Sequence, residues 1–226
     1  MSPWVPRALL GLGVVAVAAA VISIAVGQGG PQPQDVGGVN DTQRVFGGIE
    51  QAGDAVGPAE AELTVSVFND LQCGACVAYH LETVVPLIES YARTGEARIE
   101  LRHFSIAPND TTLAAIAAEA AGGQGRQWQF ADLFFRNQEL ARERGVDEAL
   151  LREVAIAVPQ LEITEWEQAY DSPESADAVR ADAMLASELE LPAEPAVVVD
   201  GPSGMRVMTA SPSLEEIEVA IAELGD

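Results

Sequence analysis

The residues best suited to do chemistry are the two cysteines of the segment Cys73-Gly74-Ala75-Cys76, the only cysteines in this chain of 226 residues. The segment comes four residues after the run 63–68, which is rich in β-branched and aromatic side chains and is typical of a buried strand. Two thiols at this spacing can close and open a disulfide. The sequence therefore predicts redox chemistry.

The local geometry gives the two sulfurs different roles. Positions i and i+3 of a helix have Cβ atoms roughly 5–6 Å apart, whereas a disulfide requires about 3.8 Å. A bridge closed across a first helical turn is therefore easily reduced. We expect Cys73 at the helix N-terminus, where free N–H groups and the helix dipole stabilise a thiolate. Cys73 would then be the attacking and attacked sulfur, and Cys76, one turn further in, would resolve.

Two other interpretations of the pair remain open. A Cys-x-x-Cys segment can be half of a zinc site, but a second pair of ligands is missing, and zinc would need both histidines of the chain, His80 and His103. An inert structural disulfide would close too short a loop to restrict the unfolded chain much. For His80 itself we expect a partly exposed helix side chain, with electrostatic tuning of the dithiol as the alternative.

The elements that must position the cysteines follow the order β-α-β, several helices, then β-β-α. A short first strand is predicted at 45–49 and a stronger one at 63–68, followed by a helix from about 74 to 92 that Pro86 would kink. Residues 97–104 alternate between apolar and charged side chains, as a half-buried strand does. Ser211 is the predicted N-cap of the last helix. The intervening helices are predicted at 111–121, 126–138, 147–158 and 173–190, and the final hairpin strands at 196–199 and 205–208.

The N-terminal segment, residues 1–27, carries one charge, Arg7, followed by an apolar run from Ala8 to Val26. At about 1.5 Å per residue, such a run nearly spans a hydrocarbon core of about 30 Å. We predict a single membrane anchor with its N-terminus inside, the alternative being a signal peptide that is cleaved to release a secreted protein. Residues 28–44 are predicted as a flexible linker and residues 45–226 as one domain.

The charge of the chain is strongly negative. It has 35 acidic residues against 12 basic ones, a formal net charge of −23. Nucleic acid is excluded as a partner, because its binding requires a basic surface. The acidity otherwise promotes solubility and does not indicate a function.

Four segments of the chain, at 67–76, 102–106, 124–138 and 194–201, resemble segments of the DsbA-like thioredoxin-fold proteins and occur in the same order as in that family. The residues around the cysteines look like that family's strand, Asp-x-Gln and Cys-x-x-Cys segment, and the others are similar to the segment after the next strand, a helix of the inserted subdomain and the cis-proline strand. The resemblance implies an α/β thioredoxin fold with a helical insertion at about 110–190.

The resemblance also implies a substrate-binding loop and an activity. Pro195 would follow a cis peptide bond beside Cys73, and the backbone at Glu194 would pair with an extended substrate segment. Gly74 and Ala75 would complete the active-site loop. The implied activity is a thiol:disulfide oxidoreductase that acts on exported proteins without a cofactor and is recharged by a quinone-linked membrane oxidase. A non-catalytic binding module with the same fold is the alternative.

Three positions depart from the family's pattern. Val67 stands where a buried acidic residue is common, Glu194 stands where Thr or Val often precedes the proline, and no histidine lies between the cysteines. The charge of Glu194 would oppose thiolate formation. We therefore predict a less oxidising protein than the strongest members of the family, closer to the range of about −180 to −270 mV.

Overall fold

The computed structural model describes residues 35–106 and 112–225. Six strands in these residues form one sheet in the order β1-β2-β4-β3-β5-β6, in which β3 and β4 are parallel and all other neighbours are antiparallel. The strands are β1 (Gln51–Ala52), β2 (Ala55–Val56), β3 (Leu63–Asn69), β4 (Ala97–His103), β5 (Ala196–Gly201) and β6 (Gly204–Met208).

The helices connect these strands in the predicted order. Helix α1 precedes the sheet, α2 joins β3 to β4, helices α3 to α8 form an insertion between β4 and β5, and α9 follows β6. Their bounds are α1 (Val39–Phe46), α2 (residues 74–92), α3 (Thr112–Gly122), α4 (Gln127–Arg136), α5 (Gln138–Arg144), α6 (Glu148–Ala157), α7 (Ile163–Tyr170), α8 (Pro173–Glu188) and α9 (Leu214–Leu224). The predicted order β-α-β, helices, β-β-α is confirmed, and so is the helical insertion.

The central strands owe their positions to apolar patterning. Strand β4 alternates strictly, with Ala97, Ile99, Leu101 and His103 buried and the residues between them half-buried, because neighbouring side chains on a strand point to opposite faces. Strand β5 is buried over its first four residues. The parallel register of β3 and β4 places Asn69 beside His103. Both strands therefore end on the same side of the sheet, and the cysteines follow β3 on that side.

Helix α2 carries the cysteines at its start. It alternates α-helical stretches, Gly74–Tyr79 and Val85–Leu87, with π-helical turns, His80–Val84 and Ile88–Ala92. Pro86 lies in the second α-helical stretch and lacks an N–H, so the ordinary backbone hydrogen-bond pattern cannot run through this region. The predicted helix over 74–92 is confirmed, and the disturbance expected at Pro86 takes the form of wider turns on either side.

The N-terminal part of the described chain differs from the prediction. The predicted strand at 45–49 is wrong, because Val45 and Phe46 are buried at the end of helix α1. Residues 39–44 of the predicted linker belong to the same helix. Gly37 exchanges two hydrogen bonds with the side chain of Asn137, at 2.9 and 3.0 Å. Linker residues 28–34 lie outside the described residues.

Three further elements also differ. The predicted helix at 126–138 divides at Asn137 into α4 and α5, and helix α7 and the short strands β1 and β2 have no counterpart in the prediction. The N-cap of α9 is Ser213 rather than Ser211, with a reciprocal capping box between Ser213 and Glu216. Ser211 instead has a left-handed backbone, with φ of 57°.

The predicted membrane anchor, residues 1–27, lies outside the described residues. Within residues 35–106 and 112–225, no helix has the length and apolar character needed to cross a bilayer.

Candidate active site

The two cysteines occupy different environments at the start of α2. Cys73 is the N-cap residue with an extended backbone, φ −78° and ψ 122°, and its side chain is half-buried. Cys76 is fully buried in the main apolar cluster. Both are free thiols. A reagent or a protein substrate can therefore reach the sulfur of Cys73, while the sulfur of Cys76 is shielded, which is the asymmetry that the spacing predicts.

A tight loop between β3 and α2 fixes Cys73. The backbone N–H of Cys73 donates to the carbonyl of Asp70 at 3.1 Å, and the carboxylate of Asp70 accepts from the N–H of Gln72 at 2.8 Å, as in an Asx turn. The side-chain amide of Gln138, on α5, donates to the carbonyl of Leu71. The helical insertion therefore contacts the loop that carries the reactive sulfur.

Burial raises the pKa of the Cys76 thiol far above its ordinary value. A hydrogen bond from the backbone N–H of Asp70 acts in the opposite direction, but the charges of Cys73 and Glu194 and a hydrogen bond with Cys73 raise the pKa further. Because a thiolate is disfavoured in an apolar, negatively charged setting, Cys76 is held as a thiol when the pair is reduced. This environment suits a resolving cysteine and not an entering nucleophile.

The peptide bond between Glu194 and Pro195 is cis, as the family resemblance implies. Pro195 is buried and directly precedes β5, whose first residue, Ala196, pairs with Phe68 near the end of β3. This register places the proline at the end of the sheet from which the chain runs to Cys73. The carbonyl of Pro195 accepts from the N–H of Ser211 at 3.3 Å.

The carboxylate of Glu194 is held beside this loop. Its Oε2 atom accepts from the backbone N–H of Ile106 at 3.3 Å, and the side chain of Ile106 is 63% exposed. Burial raises the pKa of Glu194 despite hydrogen bonds with its own backbone and with the N–H of Ile106, both of which lower it, and the nearby charge of Asp70 adds to the increase. Glu194 is therefore an acidic group with a weakened tendency to ionise, and its charge contributes to the raised pKa of Cys76.

Gly74 and Ala75, the residues between the cysteines, are exposed. A Cβ atom added at Gly74 would lie 4.0 Å from an Nη atom of Arg142, on α5. The same guanidinium pairs with Glu139 at 2.6 Å. The motif did not indicate this cation, because Arg142 follows Cys73 by almost seventy residues.

The histidines are engaged away from the cysteines, contrary to what a zinc site would need. His80 is fully buried, so the expectation of a partly exposed side chain is wrong, and its Nε2 atom lies 2.8 Å from Oδ1 of Asp132. His103 contacts Gln127 and Glu119, at 3.2 and 3.3 Å. The part of the chain that the structure describes contains no group of three or more potential metal ligands.

Asp132 is the polar centre that the sequence analysis missed. Besides His80, it accepts from the hydroxyl of Thr42 on α1 at 2.5 Å and from Nε of Arg136 at 2.7 Å. The ring of Phe135 stacks on His80 with centroids 4.6 Å apart. One signal was available, since His80 follows Cys76 by four residues and therefore lies on the same, inward face of α2.

Comparison with known proteins gives a consistent result. The protein-family model described as thioredoxin matches residues 50–223. A curated relative named "Probable disulfide bond formation protein D" from Bacillus anthracis is 26% identical over 170 residues, covering 74% of this chain and 76% of the relative. A protein of the same name from Bacillus cereus is 25% identical over the same length.

Solved structures show the same fold. Oxidised BdbD from Bacillus subtilis superimposes with a TM-score of 0.65 at 19% identity, covering 77% of this chain and 96% of that one. DsbA from Chlamydia trachomatis gives a TM-score of 0.63 at 20% identity, covering 76% of this chain and 90% of that one. The thioredoxin-type arrangement of sheet, active helix and helical insertion is therefore shared with these proteins.

Proposed function

The chain belongs to the thioredoxin family, as a DsbA-like thiol:disulfide oxidoreductase, and from this premise we propose that it exchanges disulfides with exported proteins outside the cytoplasm. The observation that carries the proposal is the difference between its two sulfurs. Cys73 is accessible at a helix N-terminus, whereas Cys76 is buried and held as a thiol. That difference is what directional thiol exchange requires.

In the oxidising direction, the thiolate of a substrate cysteine attacks the Cys73 sulfur of the closed bridge. The bond between Cys73 and Cys76 breaks, a mixed disulfide forms, and Cys76 departs with the electron pair and takes up a proton. A second substrate thiolate then attacks the substrate sulfur of the mixed disulfide, which releases an oxidised substrate and a reduced enzyme. In the reducing direction, Cys73 attacks a substrate disulfide and Cys76 resolves the intermediate.

The loop bearing Glu194 and Pro195 is the proposed site for the substrate backbone. It lies where β5 begins, at the end of the sheet above which Cys73 stands. A substrate strand paired with backbone atoms there would be recognised with little dependence on its side chains. The exposed Gly74 and Ala75 leave the approach to Cys73 open.

Two parts of the proposal concern location and recharging. The apolar segment 8–26 would act as a single membrane anchor, or would be cleaved to give a secreted protein. After each oxidation cycle the reduced pair must lose two electrons, and a quinone-linked membrane oxidase is the proposed acceptor. The names of the curated relatives, which refer to disulfide bond formation, support the oxidising direction.

Substrate trapping in cells tests the proposal. Replacement of Cys76 by alanine (Cys76→Ala) removes the resolving thiol, so mixed disulfides between Cys73 and exported proteins should accumulate and disappear on reduction. The doubly substituted protein, with Cys73→Ser added, is the matched control and should trap nothing. Absence of adducts, together with failure of the wild type to refold a reduced substrate or reduce insulin, would refute the proposal and leave a non-catalytic binding module.

A further inference from the structure

One residue of the helical insertion holds the loop that carries Cys73, and its role deepens the proposed function, on which it rests. Gln138 is the first residue of α5 and is 5% exposed, and its side-chain amide donates to the carbonyl of Leu71. Leu71 lies two residues before Cys73 and is itself buried. Because a carbonyl oxygen can only accept, the nitrogen of the amide faces it. The insertion therefore reaches the backbone of the active-site loop through a buried hydrogen bond.

The peptide group between Leu71 and Gln72 is held at both ends. Its oxygen accepts from Gln138, and its N–H donates to the carboxylate of Asp70 at 2.8 Å. Since a peptide group is planar, two fixed ends set the orientation of the whole plane. The next peptide group carries the N–H of Cys73, which donates to the carbonyl of Asp70 at 3.1 Å. The position of Cys73 therefore depends on a plane that the loop fixes on one side and the insertion on the other.

Gln138 is in turn fixed by the joint between α4 and α5. The preceding residue, Asn137, accepts from the N–H of Gly37 at 2.9 Å and donates to the carbonyls of Gly37 and Leu133 at 3.0 and 2.7 Å. Ala141, one turn further along α5, is also buried. An amide that extends from a restrained backbone keeps its direction, which suits a side chain that supports a reactive loop.

We propose that Gln138 is a positioning residue for thiol exchange, which keeps the peptide group of Leu71 and Gln72 in the orientation that places the sulfur of Cys73 at the N-terminus of α2. The N–H groups and the dipole at that end stabilise a thiolate, and the effect falls off within the first turn. A small displacement of the sulfur therefore lowers the fraction of reactive thiolate. A buried carbonyl that lost its donor would turn towards another one, and Cys73 would move with it.

The test is the pH profile of alkylation of Cys73, measured with iodoacetamide from pH 4 to pH 10 in the full-length Cys76→Ala protein. Gln138→Met keeps the length of the side chain and removes its N–H donors. Below the midpoint of the profile, alkylation should become about two- to fivefold slower, because the thiolate loses part of its stabilisation. The midpoint should move up by roughly 0.3 to 0.7 pH units, and the rate at the high-pH plateau should not change.

Gln129→Met is the matched control. Gln129 is a buried glutamine of α4, in the same insertion, and its side-chain oxygen has no hydrogen-bond partner in the described residues. Its replacement should leave the midpoint unchanged. A residue that only stabilises the insertion would lower thermal stability when replaced and would not move the midpoint. Thermal unfolding followed by circular dichroism therefore separates a structural role from a positioning role.

An unchanged midpoint in Gln138→Met would overturn the proposal, and so would an equal shift in Gln129→Met, which would indicate a general loosening of the insertion. If Gln138→Met does not fold, Gln138→Asn decides by the same measurement, because its amide is one methylene too short to reach Leu71. A parent Cys76→Ala protein whose Cys73 is alkylated normally but forms no mixed disulfide with a model peptide disulfide would instead contradict the proposed function.

Discussion

His80 Nε2 and Asp132 Oδ1 lie 2.8 Å apart, and neither side chain is exposed to solvent. The pair joins the active helix α2 to helix α4 of the insertion, and Thr42 brings α1 to the same carboxylate. The helix that begins with the reactive dithiol is therefore attached to the helical subdomain through one buried acid. A buried pair of this kind is costly to break, because the remaining partner loses its compensation.

Asp132→Ala should lower the free energy of unfolding by about 3–5 kcal/mol, since it leaves His80, Thr42 and Arg136 without their acceptor. Asp132→Asn retains the size and one acceptor oxygen, and a smaller loss of about 1–3 kcal/mol is expected. Urea denaturation followed by circular dichroism measures both. Asp177→Asn, at an exposed ion pair on α8, is the control, and an equal effect there would contradict the prediction.

The same carboxylate should make stability depend on acid pH. Burial alone would raise the pKa of Asp132, but the hydrogen bond and charge of His80, with hydrogen bonds from Arg136 and Thr42, outweigh it and hold the pKa below its ordinary value. The pKa of this carboxyl is lower in the folded protein than in the unfolded chain, where it is near 3.9. The ionised carboxylate therefore stabilises the fold fully above that pH, and the stabilisation is lost as the pH falls through the pKa of the folded state. The difference in stability between wild type and Asp132→Asn should therefore shrink below about pH 4. A stability difference between the two proteins that stays constant from pH 7 to pH 3 would contradict this prediction.

Local signals predicted most of the fold and the reactive pair, and long-range contacts account for what they missed. The alternation of residues 97–104 and the apolar runs at 63–68 and 196–199 are local patterns, and each predicted a strand that the structure contains. Helix α1 was misread because its apolar residues look like a strand. Its stability depends on contacts such as that between Thr42 and Asp132, ninety residues apart, which no local pattern contains.

The residues of the site also fall into two groups, those that local motifs identified and those that only long-range packing reveals. The motifs identified Cys73, Cys76 and Pro195, because spacing and family resemblance are carried by contiguous residues. Arg142 approaches the active-site loop from the insertion, and Asp132 binds His80 of α2. Only the packing of α4 and α5 against α2 and its loop shows these positions.

The two thiols should differ widely in their rate of alkylation. In Cys76→Ala, the half-buried Cys73 should react readily with iodoacetamide at pH 7.5. In Cys73→Ala, the remaining thiol at position 76 is buried and its raised pKa leaves little thiolate, so labelling should be at least about a hundredfold slower. Labelling in urea is the control, because both variants should then react alike. Similar rates in the folded variants would contradict the assignment of roles.

The reduction potential should lie between about −180 and −270 mV. The segment between the cysteines lacks a histidine, and the negative charge of Glu194 disfavours a thiolate at Cys76, so we expect the reduced form to gain less stability than in a strong oxidant. Equilibration with glutathione, read by mass spectrometry after alkylation, gives the value. A potential near −120 mV, that of a strong oxidant, would show that another group stabilises the thiolate.

Arg142 should increase the reactivity of Cys73 from outside the motif. Its guanidinium lies next to Gly74 at the start of α2, where a cation attracts the charge of a thiolate. Arg142→Ala in the Cys76→Ala background should slow alkylation of Cys73 by about two- to fivefold at low salt, with a smaller effect at high salt.

Glu139→Gln should act in the opposite direction, because it removes the partner that neutralises Arg142. Arg144→Ala, two residues away and paired with Glu153, is the matched control. Equal slowing by both arginine substitutions would indicate a general effect of net charge, and no slowing by Arg142→Ala would show that its cation does not act on the sulfur.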